Sequence, residues 1–274
     1  MSPLVFSLVL GSALLHVSWN ALIKGARDKG AMTLLVSQGC AIIALPLLPW
    51  LPLPAPAAWP FLLVSALLHV GYYQLLARAY GAGSLAQSYT LMRGGAILLL
   101  FIPSLLLEGM PQGTALAGIA LIAAALILLG LKGMNRGDPS PWQCACLIAC
   151  YTLVDGMGAR ASGGQPVAYV LWLVTLEGGL MLALARRALG GAIWPILRRG
   201  WWLALLGGAC STLAYAIVVW AMTQAPLAQV SALRESGILI SFLIGALCFQ
   251  ERLGRGKWLA ALTLLGGVLL LRLG

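Results

Sequence analysis

Ten stretches of the chain, near 3–23, 31–50, 58–80, 84–107, 113–131, 140–160, 166–186, 200–223, 226–249 and 257–273, are long, apolar and almost free of charge. Each approaches the roughly 20 residues that an α-helix needs to cross a bilayer. Hydrocarbon offers no water to a bare N–H or C=O, so every such run must close its hydrogen bonds within itself, as a helix. The fold expected is an all-α integral membrane protein of ten transmembrane helices. The connections between runs are short, which leaves no room for a soluble domain. Composition agrees: 9% of the residues are charged and 61% are hydrophobic, against about 25% charged in a soluble domain. No basic segment precedes the first run, so it reads as a retained helix and not as a cleaved signal peptide.

The chain repeats itself. "SLAQSYTL" at 84–91 returns as "PLAQVSAL" at 226–233, an offset of 142 positions. At that offset Tyr73 matches Tyr215 and Ala79 matches Ala221. One residue out of step, Glu108, Gly113, Leu116 and Ala117 match Glu251, Gly256, Leu259 and Ala260, and near the start of each half Gly25-Ala26-Arg27 matches Gly158-Ala159-Arg160. The common order points to a duplication, with residues 1–134 as the first five-helix repeat and 135–274 as the second. Five is odd, so the second copy enters the membrane from the other side. The arrangement expected is two five-helix inverted-topology repeats, a plan frequent among secondary transporters.

Loop charge gives an independent reading. One face collects Lys24, Arg27, Lys29, Arg78, Lys132, Arg136, Arg186, Arg187, Arg198, Arg199, Arg252, Arg255 and Lys257; the other has only Arg160 and Arg272. The basic face is expected to be cytoplasmic, which puts both termini outside and the protein in a bacterial inner (plasma) membrane as a multi-pass chain. The net charge of +10 is explained by these loops and their attraction to anionic lipid, so the partner expected is the bilayer and not nucleic acid.

The chain resembles the drug/metabolite transporter superfamily, in particular the EamA-type ten-helix permeases. The resemblance spans the whole chain. It rests on "LLHVSWNALIKGARD" in the first run, on "YYQLLARAYGAGSLAQSYTLMRG" across the third and fourth, and on the paired endings "LEGMPQGTALAGIALIAAALILL" and "FQERLGRGKWLAALTLLGGVLLL". It implies a carrier of small organic solutes such as amino acids or related metabolites, frequently an exporter. Members of that family are commonly drawn with cytoplasmic termini, the reverse of what these loop charges indicate.

Polar residues deep in the runs are expensive and therefore informative. Arg93 and Glu235 each stand nine residues into their run, about 13 Å deep at 1.5 Å per residue. Inversion brings both towards the midplane. Two roles are open. Arg93 can receive a substrate carboxylate or phosphonate, for which the guanidinium fork is suited, while Glu235 meets a substrate ammonium or carries a proton. Alternatively the two form a permanent structural pair. Arg234 points about 100° away from Glu235 and is expected to pair with another acid or to snorkel.

Other candidates lie on stripes. His16 and Asn20 share a face of the first run, with Trp19 beside them, and either line the site or bond to a neighbouring helix. His69, Tyr72 and Tyr73 share a side of the third run. Tyr89 is one turn from Arg93, Tyr151 one turn from Asp155, and Tyr215 lies on the eighth run. Asp155, Glu177 and Glu235 outnumber Arg93 and Arg234, and a carboxylate without a cationic partner in apolar surroundings is a candidate proton carrier. These residues form the expected substrate-binding and proton-coupling set.

The class expected is a secondary transporter, exporter or exchanger, of small polar or zwitterionic metabolites. No G-x-x-x-x-G-K-[ST], H-E-x-x-H or G-x-S-x-G motif occurs, so an ATP-driven pump and an enzyme are disfavoured; a channel and a membrane-embedded enzyme remain the alternatives. No cofactor or metal is expected. Cys40, Cys144, Cys146, Cys150, Cys210 and Cys248 all lie in apolar runs without a nearby histidine, and read as small buried packing residues. Monomer and homodimer are both open.

Overall fold

The computed structural model describes residues 1–82, 85–111, 113–133, 139–248, 250 and 254–273. The expected repeat boundary at 134–135, Arg136, Glu251 and Arg252 lie outside them. Among the described residues the chain is all helical. The helices are α1 (Pro3–Gly25), α2 (Lys29–Ala44), α3 (Trp59–Ala82), α4 (Leu85–Glu108), α5 (Gly113–Gly133) and α6 (Ser140–Arg160). They continue with α7 (Pro166–Leu189), α8 (Ile193–Arg199), α9 (Trp201–Gln224), α10 (Leu227–Arg234), α11 (Gly237–Cys248) and α12 (Arg255–Leu273).

Local chemistry sets several boundaries. Ser2 caps α1, its Oγ accepting from Val5 N at 3.3 Å with Pro3 in the first turn. Asp28 caps α2, its Oδ1 accepting from Ala31 N at 2.9 Å. Gly190 stops α7 with a φ of 55°, a left-handed value that glycine adopts without strain.

Among the described residues seven helical segments are long and apolar enough to cross a membrane. The apolar parts of α5 and α12, Gly113–Leu126 and Trp258–Leu273, are shorter, and α6 does not reach the same hydropathy. The polar residues Gln143, Thr152 and Asp155 dilute its apolar run. The protein is thus a multi-pass, all-α integral membrane protein with between seven and ten long apolar helices. Its surface is inside out relative to a soluble domain. Leu106 and Leu247 are 82% and 81% exposed, whereas Arg93 is 1% exposed and Asp155 fully buried. Only a lipid surround makes that distribution favourable.

Two expectations about the spans change. The stretch 226–249 is not one helix: α10 ends at Arg234, Glu235 and Ser236 form a turn, and α11 starts at Gly237. Across the break the amides of Glu235, Ser236, Ile238 and Leu239 bond three residues back, at 2.9–3.1 Å. A Ser-Gly pair at 236–237 is a common cause of such kinks. The cysteines also differ: Cys40 and Cys144 are buried, but Cys146, Cys150 and Cys248 are exposed on the lipid-facing surface. A thiol is apolar enough to face acyl chains.

Small residues bring helices together. A Cβ on Gly39 of α2 would fall 1.7 Å from the carbonyl oxygen of Ala204 on α9. On α5 and α12, Cβ atoms at Gly118 and Gly267 would each meet the other's carbonyl oxygen at 2.8 Å. Further pairs are α1 with α9, α3 with α6, α4 with α6, α2 with α7 and α3 with α7, while α10 and α11 pack against α1 and α4.

The two ends of the bundle are identified by loop contacts. At one end Lys24 Nζ donates to the carbonyl of Tyr80 at 3.0 Å. At the other, Ala55 N donates to Ser162 O at 3.1 Å. Arg160 there donates from Nη2 to Glu108 Oε1 and from Nε to Met222 O, and Glu108 Oε2 accepts Leu227 N, the first amide of α10. Ala55 lies just before the start of α3 and Tyr80 near its other end, so Lys24 and Arg160 are at opposite ends of the bundle.

Candidate functional site

Arg93 on α4 and Glu235 at the α10–α11 break meet in the interior. Arg93 Nη2 donates to Glu235 Oε1 at 2.7 Å and Nε to Oε2 at 3.3 Å. Both side chains are buried, at 1% and 2% exposure. The two-pronged geometry uses both carboxylate oxygens and is the strong form of this pair. Of the two roles open from the sequence, this structure holds the closed pair, with Arg93 Nη1 left unpartnered.

Arg234 neither pairs with another acid nor snorkels. It is 3% exposed, and the ion pairs among the described residues are Arg93–Glu235 and Arg160–Glu108. Its Nε has no hydrogen-bond partner. The chain break explains the placement: α10 ends at Arg234, so its side chain is held in the interior beside the turn.

The aromatic candidates form one connected array around this centre. His16 lies edge-on to Trp19 at 5.0 Å and to Tyr89 at 6.2 Å between ring centroids. Trp19 reaches Tyr73 at 6.0 Å, Tyr73 reaches Tyr72 at 5.5 Å, and Tyr72 reaches Tyr151 at 5.5 Å. His69 stacks on Tyr151 at 4.1 Å and meets Tyr215 at 5.4 Å. Helices α1, α3, α4, α6 and α9 thus contribute to one wall. Offset and edge-on contacts hold such rings firmly.

Asp155 sits at the far end of this array. Tyr169 OH donates to Oδ1 at 2.8 Å, and Tyr215 OH donates to Oδ2. His69 Nδ1 lies 2.9 Å from the carbonyl oxygen of Ser65. The same nitrogen lies 3.1 Å from Ser65 Oγ; the carbonyl contact is a hydrogen bond when Nδ1 bears the proton, the hydroxyl contact in either tautomer.

Two candidates stand apart. Asn20 is occupied structurally: its Nδ2 donates to His16 O at 2.7 Å and its Oδ1 accepts from Tyr80 OH at 2.6 Å. Glu177 lies at the α2–α7 crossing, where Ser37 Oγ donates to Oε1 at 2.6 Å and Gln38 Nε2 donates to Gly178 O at 2.9 Å. Sequence reasoning missed Tyr80 and Tyr169. Tyr80 repeats the Tyr72–Tyr73 face two turns on, a usable signal; Tyr169 lies in an apolar run and carried none.

The centre is rich in polar atoms without partners: His16 Nε2, Trp19 Nε1, Tyr89 OH, Thr152 Oγ1, Ser231 Oγ and Ser236 Oγ, besides the two arginines. Gly237 lets α11 approach closely, since a Cβ there would meet Tyr89 OH at 2.8 Å. At the end marked by Arg160, a recess of about 450 Å³ is lined by Arg160, Gln165, Trp220, Thr223 and Gln224. A second, largely apolar recess of about 590 Å³ lies between α2, α7, α8 and α9. Among the described residues no group of His, Cys, Asp and Glu is arranged to hold a metal ion.

No protein-family model and no curated protein sequence matches the chain. Its fold is similar to that of a solved structure described only as a crystal structure of a protein, at 17% identity and a TM-score of 0.70 over 98% of each chain. That likeness covers all of the helices and extends to the fold alone: a multi-spanning, all-α membrane architecture.

Proposed function

We propose that the chain is a secondary transporter of the drug/metabolite class, moving small polar or zwitterionic metabolites by alternating access around the Arg93–Glu235–Arg234 centre. The observation that carries this reading is the α10–α11 break: a discontinuous membrane helix that holds buried charge and unpartnered donors at mid-depth. Transporters build solute sites from such breaks, because freed backbone and side-chain groups there can solvate a polar cargo.

Inverted repeats, divided near 134–135, are part of the proposal. Exchanging each of the first five spans with its counterpart in the second half turns the packing pairs into one another: α1–α9 into α6–α3, α4–α6 into the pairing of α10 and α11 with α1, and α3–α7 into α9–α2. The pairs α5–α12 and α2–α7 map onto themselves. Lys24 near the end of the first span and Arg160 at the end of the sixth, which belong to matched stretches of the two halves, lie at opposite ends of the bundle, as inversion requires. The loop charges support a cytoplasmic Lys24 end, external termini and a bacterial plasma membrane. The Glu108–Arg160 contact then closes the external end above the start of α10, and the neighbouring recess is the entrance. Proton coupling falls to Asp155, Glu177 or Glu235; no catalytic step is assigned.

Reconstitution into liposomes tests the reading. Saturable counterflow of a preloaded amino acid or related metabolite is expected. Single-channel currents, or chemical conversion of the solute by purified protein, would overturn it.

A further inference from the structure

The centre is unbalanced in its hydrogen-bonding chemistry. Its carboxylates are occupied: Glu235 is held through both oxygens by Arg93, and Asp155 through both oxygens by Tyr169 and Tyr215. Its donors are not. Trp19 Nε1, Arg93 Nη1 and Arg234 Nε can only donate, and all three lack a partner; Tyr89 OH, Ser231 Oγ and Ser236 Oγ are also unpartnered. All of these side chains are at least nine-tenths buried. The charges match in number, Arg93 and Arg234 against Glu235 and Asp155, but not in placement. Arg93 and Glu235 cancel, whereas Arg234 has no counter-ion within ion-pair distance among the described residues. A buried guanidinium without a counter-ion is costly, and every unmade bond of a buried donor adds to the cost. The positive pole of the α11 macrodipole, starting at Gly237, adds to the same potential.

Resting on the transport reading above, we propose that Arg234, and not Arg93, receives the solute, and that it takes an oxyanion, a carboxylate or a phosphonate. Tyr89, Trp19 and Ser236 supply the further donors. The Arg93–Glu235 pair is a positioning pair that holds the α10–α11 turn against α4. Because Asp155 already has its donors, an ammonium group on the solute is dispensable: simple anions bind as well as zwitterions do, and simple amines do not.

The test uses purified full-length protein and matched solute sets on the alanine, serine, leucine and aminoethylphosphonate skeletons. Each set holds the parent zwitterion, the acid without its amine and the amine without its acid. Binding is read by thermal shift and by titration. In the wild type, acids and zwitterions of at least one set are expected to stabilise the protein and the amines to leave it unchanged. Arg234→Gln is expected to weaken acid binding on the order of 100-fold or more, and Arg234→Lys about tenfold, through loss of the planar fork. Stabilisation by amines alone, no stabilisation by any set, or undiminished acid binding in Arg234→Gln overturns the proposal. The wild-type comparison stands by itself if Arg234→Gln does not fold. Counterflow on the same preparations separates the two readings. Acids that bind but are not moved overturn transport and leave the receptor standing; amines carried as fast as acids overturn the receptor and leave transport standing.

Discussion

Helix α4 and the α10–α11 pair begin with nearly the same words and end as different objects. Arg93 is followed by Gly94-Gly95 and Glu235 by Ser236-Gly237. Yet α4 runs unbroken from Leu85 to Glu108 while its counterpart breaks at the charged residue. The glycines serve different neighbours. A Cβ on Gly94 would meet Leu126 Cβ on α5 at 2.9 Å, and one on Gly95 would meet Ala145 Cβ on α6 at 2.9 Å, so this pair admits two helices against a straight α4. Gly237 instead faces Tyr89 OH and Val17, and admits the start of a new helix. One copy supplies a rigid post bearing a cation; the other supplies a joint bearing the matching anion and a spare cation. The lesson is that segments of similar sequence take different forms where the packing around only one of them leaves backbone to rearrange.

The largest effect is expected from separating the pair. Glu235→Ala leaves Arg93 buried without its counter-ion and should cost about 3–5 kcal/mol in unfolding free energy. The double variant Arg93→Met/Glu235→Leu should cost less than either single change, measured by thermal and denaturant unfolding in detergent. A single change that costs nothing breaks the description of α4 as a post pinned to the joint.

The glycines come next. Gly94→Ala should cost about 1–3 kcal/mol by overpacking on Leu126, with transport lost in proportion to folded protein. Gly237→Ala meets Tyr89 OH at 2.8 Å and Val17 Cγ2 at 3.1 Å, so a stability cost of the same order, about 1–3 kcal/mol, is expected, yet its counterflow per folded molecule should fall more. Equal behaviour of the two variants removes the distinction between post and joint.

A smaller effect is expected at the Glu108–Arg160 contact. Arg160 is 40% exposed, so Arg160→Gln should change stability by no more than about 1 kcal/mol. Its effect should instead be seen in the rate of solute entry from the Arg160 side. The smallest stability effect belongs to Tyr89→Phe. Its hydroxyl has no partner, and its removal should leave stability within about 0.5 kcal/mol. Affinity for acidic solutes should still fall about 2- to 12-fold, the equivalent of one hydrogen bond.

Several of these features were legible in the linear chain. The equal depth of Arg93 and Glu235 in their runs, 142 residues apart, marked them in the linear chain as candidates to meet, and the structure brings them together. The stripe containing His69, Tyr72 and Tyr73 follows from helical period. Arg234 was not legible. Period placed it correctly on another face from Glu235, but the face it occupies is interior, because α10 ends there. Asn20 was legible as polar and buried, but its partner Tyr80 comes from α3, far along the chain, and no local pattern encodes that distance.

What the sequence by itself determined is the solvent and the secondary structure: long uncharged runs in lipid can only be helices, since nothing else can satisfy the backbone there. It also determined which polar groups are expensive enough to need partners. Tertiary structure alone decided who those partners are: Arg93 has Glu235, Asp155 has two tyrosines, Glu177 has Ser37, and Arg234 has no counter-ion among the described residues. The reason is physical. A helix fixes the direction of each side chain relative to its own axis, but the identity of the group across the gap depends on how separate helices cross, and that is set by packing between distant glycines and side chains.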